Sequence, residues 1–328
     1  MANLETKYMG LSLKNPIVVA SSGLTNSIEK IKELEAAGAG AVVLKSIFEE
    51  QINSEVSHLI NKDPQNLYPE AEDYIWNYTR NNSITKHIQL LKEAKKVVSI
   101  PIIASINCVS DKEWTAFAKD FEQAGADALE LNLFVLPTQR NKSAQEVEQL
   151  YIDILLKVKK LVKIPVSIKI GFYFTNLVSV ADKMVGAGAQ AVVMFNRFYE
   201  PDIDINKLEI IPSEVFSSPA DIRRSLRWVG ILSASVPQLQ IAASTGIHDS
   251  EAVIKQLLAG AQVTQLCSTL YINGAQQIAG ILNDLNVFMK KWNFKTIDDF
   301  RGRLSYKNIP DPQMYERSQF MKYFSSKG

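Results

Sequence analysis

Two cysteines in 328 residues, Cys108 and Cys267, are too few for a disulfide framework and fit a reducing compartment. A prevailing charge is missing too. Lys and Arg total 36 against 35 Asp and Glu, which leaves no electrostatic drive toward nucleic acid or an acidic membrane surface. No apolar run reaches the ~18 to 20 residues a membrane span needs. The start, MANLETKYMG, has no basic stretch followed by an apolar one, so it is not of signal-peptide type. Histidine is scarce, and His58, His87 and His248 lie far apart, which gives no spacing for a metal site. Hydrophobic residues make up 46% of the chain, ample for a buried core. The expectation is a cytoplasmic protein without metal, nucleic-acid or membrane partners.

What is present is a rhythm of two interleaved repeats. One is small-Gly-Ala followed by an apolar run with a polar end: AGAGAVVLKS to Lys45-Ser46, AGADALELN to Asn132, AGAQAVVMFN to Asn196 and AGAQVTQLCS to Cys267-Ser268. The other begins at proline: NPIVVASSG to Gly23, IPIIASIN to Asn107, IPVSIKI with Lys169, and VPQLQIAASTG to Gly246. The two alternate along the chain and give eight short strands rich in Val and Ile. Such strands suit a parallel sheet covered on both faces. Between them lie segments of helical periodicity, including 28–37, 83–97, 112–124, 144–162 and 251–259. Gly ahead of one strand type suits a helix C-cap, and Pro ahead of the other suits a strand start. An open doubly wound sheet could use the same units, but eight similar ones favour closure into an α/β (β/α)8 TIM barrel. Extended excursions follow the second strand (Glu49–Arg80) and the sixth (Phe198–Pro219), the latter with PDIDINKLEIIPSEV as an extra strand pair. No composition shift divides the chain, so 1–328 is one domain, with 293–328 as a C-terminal extension.

In such a barrel the C-terminal strand ends face the active site. They supply Ser21, Ser22, Gly23, Lys45, Ser46, Asn107, Asn132, Lys169, Asn196, Thr245, Gly246, Cys267 and Ser268. The set has no carboxylate and no histidine, which excludes paired-carboxylate glycoside chemistry. Lysine ordinarily snorkels to solvent, yet Lys45 and Lys169 end or interrupt apolar strands. A buried ammonium can stabilise negative charge on a cofactor or substrate, or form a Schiff base. The small and hydroxyl residues after strands seven and eight suit phosphate binding by backbone N–H groups, although they also suit plain turns.

Taken in order, these segments resemble the class 1 dihydroorotate dehydrogenases, which are FMN-containing barrels. Asn15-Pro16 with Ala20-Ser21-Ser22-Gly23 is similar to the family's NP…ASG opening, and Lys45-Ser46 to its KS. Glu130-Leu131-Asn132-Leu133 resembles the start of ELNLSCPN, and Ile168-Lys169-Ile170 with Tyr173-Phe174 resembles VKLPPYF. Asn196 matches a substrate-binding Asn. Ser244-Thr245-Gly246-Ile247 resembles GTGGI, and 265–270 resembles QIGTAL. Residues 296–302 echo the C-terminal signature. The resemblance implies FMN bound by Ala20, Ser21, Ser22, Gly23, Lys45, Ser46, Asn132, Lys169, Ser218, Thr245, Gly246, Cys267 and Ser268. It implies a small-molecule substrate held by Lys45, Asn132 and Asn196, a homodimer, and a place in pyrimidine biosynthesis; Arg197, beside Asn196, is a further substrate candidate by its own chemistry.

Departures from the family pattern are concentrated on the substrate side. The loop after strand four should carry a Cys or Ser base, but Phe134-Val135-Leu136-Pro137 has neither, and those side chains cannot take a proton. An NSxGLxN segment is not recognisable in 66–80. Arg197 replaces a small hydroxyl residue, and Ser218-Pro219 stands where Gly-Gly is usual. Cys108 as a displaced thiol, Tyr173 as an acid and Arg197 as an anion clamp compete with ordinary core and rim packing. Two other readings remain: a flavin-binding protein without dihydroorotate turnover, and a phosphate-binding barrel enzyme with a Schiff-base lysine.

Overall fold

The computed structural model describes residues 2–62, 69–108, 111–197 and 200–316. An antiparallel hairpin, β1 (Thr6–Tyr8) and β2 (Leu11–Leu13), precedes the first barrel strand, β3 (Ile17–Val19). Then come β4 (Ala41–Val43), β5 (Ile47–Phe48), β6 (Ile102–Asn107), β7 (Ala128–Asn132), β8 (Val166–Ile170) and β9 (Ala191–Met194). A ribbon, β10 (Pro201–Asp204) and β11 (Glu209–Pro212), is followed by β12 (Gln240–Ser244) and β13 (Val263–Leu266). Eight of these pair in parallel as a closed ring: β3, β4, β6, β7, β8, β9, β12, β13 and back to β3. The ring is sealed by β4 on β6 (Val42 beside Ile102) and β13 on β3 (Thr264 beside Ile17). Closure excludes the open doubly wound sheet.

The small-Gly-Ala repeat has one structural cause. Helices α1 (Ile28–Ala36), α4 (Asp111–Gln123), α6 (Leu177–Gly186) and α8 (Ser250–Ala259) all end in the same wrap. Gly38, Gly125, Gly188 and Gly260 take positive φ, which L side chains adopt only at a cost. The alanine after each then donates back into the last turn: Ala39 to Leu34, Ala126 to Phe121, Ala189 to Met184 and Ala261 to Gln256, all at 2.9–3.1 Å. That is Schellman geometry, and it turns each chain into the next strand. Helix starts are equally legible. Ser27 caps α1, Asp249 caps α8, and Ser143 with Glu146 forms a capping box on α5 (Ala144–Lys159).

Side chains alternate between the barrel interior and the helical ring. At the bottom, Val18, Ala41, Val43, Ile103, Ala128, Ala191, Val193, Ala242 and Val263 form an inner cluster with Tyr8, Met9 and Leu13 of the hairpin. The hairpin therefore plugs the base and leaves the other end as the only route to the interior among the described residues. Sequence periodicity gave no hint of it, because its strands are three residues long.

The excursion after the second barrel strand is helical rather than a loop. Helix α2 (Glu49–Lys62) packs on α3 (Pro69–Val97), whose last half is the barrel helix expected at 83–97. Ile52, Val56, Ile84 and Leu91 are buried along the pair, and Trp76 Nε1 donates to Asn53 Oδ1 at 3.0 Å. Part of the 66–80 segment lies outside the described residues. The sixth-strand excursion holds the expected strand pair, although residues 198–199 of it are outside the description. Through 316 the C-terminal extension is docked: Gly302 and Leu304 N–H donate to the Leu257 and Leu258 carbonyls, and Phe294 stacks on Phe300 at 5.3 Å.

Candidate active site

At the C-terminal strand ends a cavity of about 450 Å³ opens, a size suited to a small ligand or cofactor. Its wall comes from β3, β8, β9, β12 and β13 and the segments after them. Of the sequence-derived site residues, the structure brings together Ala20, Ser21, Lys169, Asn196, Arg197, Thr245, Gly246, Cys267 and Ser268 in that wall. Lys45, Ser46, Asn132, Ser22, Gly23 and Ser218 do not line it, although several touch residues that do.

Lys169 is the central cation. Its strand is apolar on both neighbours, so the side chain points inward and is only 7% exposed. Nζ donates to Gln265 Oε1 at 3.1 Å and lies 3.9 Å from the Glu130 carboxylate, while Gln265 Nε2 donates to Glu130 at 2.6 Å. This buried triad was missed because the strand ends alone show no carboxylate. The signal was there. Glu130 and Gln265 lie two positions before Asn132 and Cys267, hence on the same inward face one layer deeper. Tyr8 OH, from the basal hairpin, is buried near Glu130, and burial followed by that negative charge pushes its pKa up.

Lys45 is half-buried outside the cavity wall, and its positive charge reaches His87 of α3. His87 is pushed down chiefly by burial, against the raising effect of the Ser83 carbonyl 2.9 Å from its Nδ1. Beside Lys45, hydroxyls form a chain: Ser21 to Ser46 at 2.9 Å and Ser46 to Ser105 at 2.7 Å. Asn132 is buried, and its Oδ1 accepts from Asn196 Nδ2 at 2.7 Å, so two amides from neighbouring walls are fixed together. Arg197 is held at the rim by its bond to the Val215 carbonyl, 2.6 Å.

The turn after β12 is shaped for close approach. Thr245 and Gly246 both have positive φ, and the Thr245 hydroxyl donates to the Phe195 carbonyl at 2.8 Å. A Cβ on Gly246 would lie 2.1 Å from Ile222 N and 2.6 Å from Asp221 C, so only glycine fits. Ser217 sits against this turn: its N–H and Oγ–H meet Ser268 Oγ at 3.0 and 3.1 Å, and its Oγ lies 3.1 Å from His248 Nε2. Ser218 behaves differently. Its N–H and hydroxyl are committed to Asp221, at 2.7 and 3.2 Å, while Ser217 takes the place at the cavity. Burial, the largest influence, pushes the Cys267 thiol up, and Lys169 and the Ser22 hydroxyl pull it part of the way back.

The other side of the mouth is different. Phe134 and Leu136 are 43% and 49% exposed, and 135–138 faces α5 across a separate cavity of about 340 Å³. Cys108, just past the end of β6, is buried and does not line the main cavity, and burial followed by Glu49 and Glu113 pushes its thiol up, which suits an inert core thiol. Tyr173 is 44% exposed, packs on Phe172 at 4.3 Å and does not line the main cavity. Among the described residues no cluster could hold a metal, and no helix is long and apolar enough to cross a membrane.

The donor set fits a flavin phosphate. The main cavity has Lys169 and Arg197 as its charged groups, no carboxylate on its wall, hydroxyls from Ser21, Ser217, Thr245 and Ser268, and a turn that excludes a Cβ. Such a wall favours an anion at one end and electron density near Lys169 at the other. The family model described as dihydroorotate dehydrogenase matches residues 3–289. The catalytic subunit of dihydroorotate dehydrogenase B (NAD(+)) of Thermoplasma volcanium is 28% identical over 92% of this chain and 98% of its own. That of Methanocaldococcus jannaschii is 25% identical over 91% and 97%. Dihydroorotate dehydrogenase A (fumarate) of Limosilactobacillus reuteri is 27% identical over 90% and 96%. With a closed barrel, a buried lysine at the mouth and a family match along nearly its whole length, this chain belongs to the dihydroorotate dehydrogenase family.

Proposed function

We propose that this protein is an FMN-dependent oxidoreductase acting on a CH–CH bond of a small anionic substrate of the dihydroorotate kind, in pyrimidine biosynthesis. Family membership makes it a flavin-type oxidoreductase. The observation that carries the finer reading is Lys169, buried at a strand end, paired to Glu130 through Gln265, and opening on a cavity whose far wall suits a phosphate.

When bound, the flavin supplies the two-electron acceptor. The residues of this chain bind and orient around it. Lys169 holds a positive charge where a reduced ring would gain negative charge. Thr245, Gly246, Cys267 and Ser268 hold the phosphate end. The Asn196 amide, held by its bond to buried Asn132, offers its carbonyl to a substrate ring, and Arg197 offers a fork for its carboxylate. A Schiff-base role for Lys169 fits poorly, since an ammonium tied to Glu130 and Gln265 is not a free amine.

Residues 134–137 favour a second reading of the same site, flavin binding without dihydroorotate turnover, since no Cys or Ser stands there to take the substrate proton. We propose homodimerisation as well. The exposed apolar ribbon residues Ile203, Ile205, Leu208 and Ile210, with Val215, support it. Two free thiols suit a cytoplasmic setting.

The visible spectrum of the purified protein tests the flavin: a colourless chain that does not bind added FMN sinks the proposal. Stopped-flow mixing with dihydroorotate then separates the two readings. Rapid bleaching supports turnover, and a stable oxidised spectrum supports binding alone.

A further inference from the structure

The hydrogen-bond count beside the Thr245–Gly246 turn fixes a polarity. Ser268 Oγ accepts from the Ser217 backbone N–H at 3.0 Å and from the Ser217 hydroxyl at 3.1 Å. A hydroxyl oxygen has two acceptor positions and one proton. Both acceptor positions of Ser268 are taken, so its own proton is left to donate, and Ser268 lines the cavity. Ser217 Oγ has given its proton to Ser268 and can only accept. It faces Gly246 N–H at 3.4 Å and His248 Nε2 at 3.1 Å. His248 Nε2 must therefore carry the ring proton. Donation runs one way, from His248 to Ser217 to Ser268.

The imidazole is anchored for this. The His248 carbonyl accepts from Thr269 Oγ1 at 2.8 Å and from Gln277 Nε2 at 3.1 Å, which ties residue 248 to the segment after β13. Without a fixed donor behind it, Ser217 could turn its proton elsewhere, and Ser268 could then present a lone pair to an anion. The backbone turn supplies amides whatever the hydroxyls do. The imidazole decides whether the hydroxyls help or oppose.

We propose that His248 is a positioning residue for phosphate-monoester recognition: through Ser217 it aligns the Ser268 hydroxyl as a donor, so that the site discriminates FMN from the same flavin without phosphate. This rests on the flavin reading above and adds to it a specificity determinant on the side chains rather than on the backbone turn.

The test is titration of the full-length apoprotein with FMN and with riboflavin, followed by flavin fluorescence quenching. His248→Ala weakens FMN about tenfold, as for loss of one hydrogen bond to a charged acceptor, and changes riboflavin less than about twofold on the same reasoning. His248→Gln, whose amide can donate from a similar place, restores most of the loss. Ser217→Ala matches His248→Ala, and the double variant is no weaker than either. Unchanged FMN affinity in His248→Ala, or equal weakening of both flavins, overturns the proposal. If the wild type takes neither flavin, the flavin reading fails, and inorganic phosphate becomes the probe. A phosphate-induced rise in melting temperature that needs His248 then upholds the relay. No rise, or an equal rise in His248→Ala, overturns it.

Discussion

The two sides of the barrel mouth are built differently. On the β12–β13 side, Ser217, Gly246, His248 and Ser268 are already bonded to one another, and just below them Gln265 of β13 reaches across the barrel interior to Lys169 of β8 and Glu130 of β7. On the β7 side, Phe134 and Leu136 stand half in solvent, and the segment faces a different cavity. A ligand group that is always the same is best met by a preorganised wall, because each donor is held in place before binding. A wall whose side chains stand largely in solvent can change them, and with them the substrate, at little cost to the fold. The difference predicts that substitutions will be costly on one side and mild on the other.

Lys169→Met is expected to be the most damaging. It leaves Glu130, 1% exposed, as a buried carboxylate without its cation, at a cost of about 3–5 kcal/mol by urea unfolding. Lys169→Met with Glu130→Gln should recover much of that, because the stranded charge is gone. If the single and double variants unfold alike, the triad is not what holds this side together. Gly246→Ala comes next, at about 2 kcal/mol or more, because left-handed φ is joined by a clash with the Ile222 backbone. Gly125→Ala is its control. It has φ +94 with nothing within 4 Å of the new Cβ, so it should cost only the conformational penalty, about 1–2 kcal/mol. Equal losses at the two positions would mean that the turn is not sterically closed.

How much of this could be read beforehand follows the same division. The barrel was legible because the AGA wrap and the Pro start recur in each half-unit, and each repeat encodes the same helix end and strand start. The β12–β13 wall was legible because small and hydroxyl residues stand at two adjacent strand ends, and the structure brings Thr245, Gly246, Cys267 and Ser268 to one cavity. Depth was less legible. Glu130 and Gln265 belong to the site, yet they sit one layer below the strand ends, where only the two-residue period shows them. Ser217 rather than Ser218 meets the cavity because Asp221 captures the Ser218 N–H, a local contest that spacing does not reveal. The helical hairpin of α2 and α3 was read as a polar excursion because α3 carries its apolar residues sparsely, Ile84 and Leu91 being buried along it. The contact of His87 with the Lys45 end is a tertiary product of that hairpin.

Alkylation of Cys267 gives a smaller, local contrast. Its thiol lines the cavity and is pushed up by burial, so the thiolate is scarce near neutral pH and labelling by iodoacetamide should climb as pH rises. Because Lys169 pulls that pKa down, Lys169→Met should slow labelling at a given pH. Bound FMN should protect Cys267 and leave the already inert Cys108 unchanged. Mass spectrometry of the labelled peptides reads both sites, and labelling of Cys267 that ignores FMN would place the cofactor away from this wall.

The smallest effect is expected on the β7 side. Leu136 is 49% exposed, so Leu136→Ser gives up little burial and leaves no buried group unpaired. Substitutions of that kind usually stay within about 0.5 kcal/mol. Urea unfolding should therefore scarcely move, and FMN affinity of the apoprotein should change less than about twofold on the same reasoning. Either a loss above about 1 kcal/mol or a clear loss of flavin would show that 134–137 supports the cofactor wall after all. In that case the tolerance that separates the two sides would disappear.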